Sequence, residues 1–144
     1  MRLKELSQLY YLNREIERDQ QRLEELRSKA ESPQSPVLTG MPITPTTESR
    51  LERYVVEMVD LEAIIKTKQE RCIHERNMLE RFINDIDDSL TRQIFTLRCV
   101  NGMGWAEIAV EVGGGNTGDG VKMRFYRHLK KIKTGNKMLL NVTV

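Results

Sequence analysis

The residues able to do covalent or metal chemistry are few, and their spacing argues against it. His74, in CIHERN, and His128, in YRHLKK, are the only histidines, and neither has a Cys, Ser or Asp beside it in a catalytic arrangement. Cys72 and Cys99 lie 27 residues apart with no CxxC and no paired histidines, which supports neither a disulfide framework nor a zinc site. Both are expected to be reduced, helix-buried thiols. Asp85, Asp87 and Asp88 cluster just before a helical pattern, where carboxylates cap free amides and favour the positive end of the dipole. No phosphate cradle, nucleophile elbow or placed carboxylate pair occurs, so the reading is no enzyme, no cofactor and no metal. A different chemistry stands out further along the chain. The stretch GGGNTGDG, residues 113 to 120, leads directly into VKMRFYRHLKKIK, residues 121 to 133, which carries six basic residues and no acid.

Charge is segregated towards that end. From Gly114 to Val144 there are seven Lys and Arg against Asp119 alone, a net of +6, whereas the other 113 residues hold 16 basic and 20 acidic groups, a net of −4. A concentrated basic end suits a polyanion, because each phosphate contact releases condensed counterions. The longest apolar runs are only a few residues, and the charged start MRLKEL is not followed by an apolar signal core, so a cytosolic chain without membrane contact is expected.

Helices must position the basic segment. At 144 residues, with 39% apolar and 31% charged residues, the composition favours long solvated helices over a thick core. Over residues 2 to 31, Leu9, Ile16, Leu23 and Ala30 recur every seven, with Leu12 and Leu26 three positions on. This is one coiled-coil stripe, interrupted by Asn13, Asp19 and Gln20. Residues 32 to 47, SPQSPVLTGMPITPTT, hold all four prolines and read as a linker, with Val37, Leu38, Met41 and Ile43 available to pin it. A second helix is predicted from Thr47 to about Ile86. Its seam is Leu51, Met58, Ile65, Cys72, Leu79 and Ile86, seconded by Tyr54, Leu61 and Phe82, with Lys68 and Glu75 where leucine would be expected. Folding back antiparallel through the linker is the economical arrangement, and a parallel homodimer through the second helix is the competing one.

Three shorter helices follow. Leu90, Ile94 and Leu97 mark one, stopped by Asn101 and Gly102; Trp105, Ile108, Ala109 and Val112 share a face of the second, from Gly104 to Val112; Val121, Phe125, Leu129 and Ile132 mark the third. This is a helix-turn-helix pattern. GMGWAEIAVEVG followed by VKMRFYRHLKKI resembles region 4 of sigma-70 type factors, over about residues 84 to 133. The longer plan, with LTGMP in the linker, then LRCVNGMGWAEIA and GGGNTGDGVKM, is similar to the sigma-like helix-turn-helix proteins of phages and prophages in Gram-positive bacteria, among them late-operon transcriptional regulators. About two extra residues precede the Val-Lys pair, and the promoter-melting segments of a full sigma factor have no counterpart.

The whole is expected to be all-α: a long antiparallel helical hairpin or coiled coil over 1–83, a sigma region 4-like helix-turn-helix over 84–134 and a tail over 135–144. Gly113 to Gly115 are expected to end the second short helix in a left-handed turn, with Asn116 or Thr117 capping the third and Asp119 at capping-box spacing from Asn116. Gly118 and Gly120 weaken that helix start, so full ordering is expected on DNA. By position in the motif, Asn116, Thr117, Asp119, Lys122 and Met123 are expected at the major groove and Arg124, Arg127, Lys130 and Lys131 at phosphates, with Tyr126 also on the outward face. The resemblance implies a sequence-specific DNA-binding regulator of phage or prophage genes in the host cytoplasm and nucleoid. Its expected partners are double-stranded DNA, RNA polymerase and further copies through the long helices. The alternatives are a DNA-packaging recognition subunit of small-terminase type and a module that binds only RNA polymerase.

Overall fold

The computed structural model describes residues 2–32 and 49–141, with side chains described to Gly135. Every regular element in them is helical. In chain order these are α1 (Leu3–Leu6), α2 (Gln8–Glu31), α3 (Arg50–Asn84), α4 (Ser89–Phe95), a π-helical turn (Thr96–Val100), α5 (Trp105–Val112) and α6 (Gly118–Asn141). The linker lies almost wholly outside the described residues, as do its apolar Val37, Leu38, Met41 and Ile43 and the Thr47 start read for the second helix. The long α6 runs to Asn141, well into the stretch read as a tail.

Packing divides the chain into Met1–Leu12 with Cys72–Val144 and, separately, Asn13–Arg71. This differs from a division at residue 83. Leu6 of α1 and the apolar ends of α2 and α3, Leu9, Leu79 and Ile83, belong to the same core as Ile94, Phe95, Phe125 and Leu129. The amphipathic faces of α4, α5 and α6 are too small to enclose a core alone, and those residues complete it.

Within Asn13–Arg71, α2 and α3 run antiparallel. Ile16, Leu26, Leu61 and Ile65 are buried between them. Two of the polar interruptions of the seams meet each other: Lys68 Nζ lies 2.5 Å from Asp19 Oδ2, and 3.7 Å from Glu15 Oε2. The hydrogen bond to Asp19, with the charge of both carboxylates, raises the Lys68 pKa above its usual value despite partial burial. Where leucine would be expected, Lys68 is held by charge. Leu51, expected in the seam, is 54% exposed. It lies beside Ala30 and Glu31, at the end of α2.

In the other unit the acidic cluster does cap a helix. Asp88 is the N-cap of α4, its carboxylate accepting from the Thr91 amide at 3.0 Å and the Thr91 hydroxyl at 2.5 Å. Arg92 Nη1 donates to the carbonyls of Ile86 and Asp87, at 2.9 and 3.3 Å, and so fixes the corner between α3 and α4. The first short helix ends in the π-turn, closed by Asn101 N–H to Thr96 O at 3.1 Å, before Gly102 turns the chain at φ +70°. Phe95 stacks on Phe125 with centroids 4.4 Å apart, and Ile94, Ile108 and Val121 close around them.

Candidate nucleic-acid interface

The elbow is built by three consecutive glycines in the left-handed region: Gly113, Gly114 and Gly115, at φ +65°, +68° and +74°. Residues with a Cβ enter this region at a cost, so the sequence needs glycine at each of the three. Asn116 closes the loop. Its amide and its Nδ2 both donate to the Gly113 carbonyl, at 3.3 and 2.8 Å.

Thr117 then starts α6. Its hydroxyl accepts the Gly120 amide at 3.1 Å, and its carbonyl accepts the Val121 amide at 3.0 Å. This corrects the capping box expected between Asn116 and Asp119: Thr117 is the cap, and the partner position three residues on is Gly120, which has no side chain to return the bond. Both later glycines have a steric role. A Cβ on Gly120 would stand 3.0 Å from the capping Thr117 hydroxyl, and one on Gly118 would stand 3.4 Å from the backbone nitrogen of Ala106. The first turn of α6 thus lies directly against the first turn of α5, and α6 is helical from Gly118 onward.

Val121, Phe125 and Leu129 anchor the inner face of α6. The opposite face carries Met123, Arg127, Lys130 and Thr134, spaced i, i+4, i+7 and i+11, all exposed. Lys122, Arg127, Lys130, Lys131 and Lys133 are exposed, and their side chains form no ion pair among the described residues. Asp119, the one acid of the segment, is exposed in the first turn, where the helix dipole favours it. Lys133 and Thr134 were not singled out from sequence, although the spacing that continues from Met123 reaches Thr134.

Two expected contacts have other partners. Arg124 turns to α4, its Nη2 2.9 Å from Asp88 Oδ2 and its Nε 3.2 Å from Thr91 Oγ1. The Thr91 hydrogen bonds, and then Arg124, bring the Asp88 carboxyl from 3.8 down to about 2. Tyr126 leans on Trp105, with ring centroids 6.1 Å apart, and is 43% exposed. Trp105 is half-buried rather than fully enclosed. Arg98 lies over its ring at 4.3 Å, and Phe125 meets it edge-on at 5.2 Å. His128 sets its ring edge against Phe95 at 5.3 Å, and burial followed by the Lys131 charge lowers its pKa below 6.5. Burial pushes the Cys99 thiol up to about 12, opposed by Arg98, and raises the Cys72 thiol as well, which keeps both protonated at neutral pH.

Among the described residues no cluster of His, Cys, Asp and Glu is arranged to hold a metal, and no helix is long and apolar enough to cross a membrane. No family profile, curated protein or solved structure matches this chain.

Proposed function

We propose that the chain is a sequence-specific DNA-binding transcriptional regulator of phage or prophage genes, with α6 lying in the major groove of double-stranded DNA. The observation that carries this reading is the set of exposed cations on α6, without ion pairs among the described residues, beginning one turn after a helix start fixed by the glycine elbow and the Thr117 cap. A helix presented in this way offers its first turns to base edges and its later turns to phosphates. Asp119, Lys122 and Met123 form the base-reading end; Arg127, Lys130, Lys131 and Lys133 form the phosphate-binding end. Arg124 is left out, because Asp88 and Thr91 hold it within the fold. The resemblance to sigma region 4 adds the expected setting, promoter DNA in a bacterial host with RNA polymerase nearby.

Selection of bound duplexes from a random pool by the purified chain tests the reading. A defined motif should be enriched. Lys122→Ala and Met123→Ala should each cost about 1 to 3 kcal/mol on that motif and much less on scrambled DNA, whereas Lys131→Ala should weaken both duplexes alike. An unenriched pool would leave only nonspecific polyanion binding.

A further inference from the structure

The geometry points to a second binding site, a groove for a small aromatic carboxylate, in the unit that carries α5 and α6. A cavity of about 390 Å³ lies there, within the size range of small-molecule pockets. Its walls include the rings of Tyr10, Tyr11, Trp105 and Tyr126, together with Arg98. Tyr11 and Tyr126 are 62% and 43% exposed, so the rings are accessible from solvent. Flat aromatic walls favour a planar apolar body, which stacks or packs edge-on against them.

Charge selects among planar ligands. Among the described residues of the lining Arg98 is the one charged side chain, and none of them carries a carboxylate. A cation would meet like charge there. The guanidinium is fixed from two sides, over the Trp105 ring at 4.3 Å and by Nη1 donation to the Met103 carbonyl at 2.9 Å. Arginine has five N–H donors, and this is the only hydrogen bond its side chain makes among the described residues. A held fork with unused donors matches a carboxylate, and pre-orientation lowers the entropy lost when the pair forms. A ring of benzene or indole size with a carboxylate one or two bonds away satisfies both the walls and the charge. Such a ligand would touch Trp105, the first residue of α5, and Tyr126 on α6, but the assignment does not depend on DNA binding.

Trp105 is the only tryptophan in the chain, so its indole N–H gives a single resonance at the groove wall. The test is a titration of the full-length protein with phenylacetate, phenylacetamide and acetate, followed by that resonance. Phenylacetate should shift it saturably with a millimolar-range Kd, as suits so small a ligand, and the neutral amide and ring-free acetate should bind at least about tenfold more weakly. Arg98→Gln should abolish the preference for acid over amide. Because that change also removes a stacking contact, Tyr11→Ala serves as a second variant: it removes an exposed wall and should weaken phenylacetate several-fold with the fold intact. No saturation by about 10 mM, or equal binding of acid and amide by the unaltered protein, would overturn the assignment.

Discussion

Arg124 and Arg127 lie one turn apart on the same basic helix, yet of the two only Arg124 has a hydrogen-bond or ion-pair partner among the described residues. Arg124 is bound to Asp88 and Thr91, and this linkage predicts an acid sensitivity. The Asp88 carboxyl is lowered in the folded chain, so its contribution is complete above the ordinary 3.8 and is lost as pH falls through about 2. Thermal melting should therefore lose stability over that interval, and Asp88→Asn should flatten this part of the profile; a variant with an unchanged acid limb would show that the linkage does not contribute. The two arginines should also separate in DNA titrations. Arg127→Ala should reduce the salt slope by about one, and Arg124→Gln should lower the melting temperature while leaving the slope nearly unchanged. Residue types and helical phase made the basic face legible in the sequence. Arg124 was not, because its partner Asp88 is 36 residues away and only the packing of α4 on α6 brings them together.

At the scale of the element, α6 depends on how its first turn is built. Replacing glycine by alanine in a helix normally gains about 1 kcal/mol. Gly120→Ala should gain nothing, because the new methyl would crowd the Thr117 hydroxyl at 3.0 Å. Thr117→Ala should cost about 1 kcal/mol through the lost cap. In the double variant the hydroxyl is gone and the alanine gain should return, so the two changes should be non-additive in chemical denaturation. Strict additivity would contradict the cap. In the hairpin of α2 and α3, Asp19→Leu and Lys68→Met should each lower the melting temperature, and together they should recover much of the loss, since an apolar pair replaces the ion pair and only the exposed Glu15 loses the Lys68 charge. The seven-residue repeats of Leu9, Ile16 and Leu23 and of Met58, Ile65, Cys72 and Leu79 made both helices legible. They could not show that Asp19 and Lys68, read as separate defects, answer each other, nor that Thr117 rather than Asn116 caps α6, because Asn and Thr are both good caps and the loop geometry decides between them.

Across the whole molecule charge is unevenly distributed along the sequence, with +6 on the C-terminal segment and −4 on the remainder. The all-α architecture followed from composition and periodicity. The extent of each packed unit did not, because Leu6 and Leu9 join the core formed by α4, α5 and α6 through contacts remote in sequence. Five exposed cations on α6, Lys122, Arg127, Lys130, Lys131 and Lys133, have no internal ion pair among the described residues, and the proposed function requires that several of them meet phosphates. The most direct measurement is the affinity of the purified chain for its selected duplex across a series of salt concentrations. If three to five of these cations neutralise phosphates, log affinity should fall against log salt with a slope between about −2.7 and −4.5; a slope near zero, or no measurable affinity for duplex DNA at low salt, would contradict a DNA-binding α6.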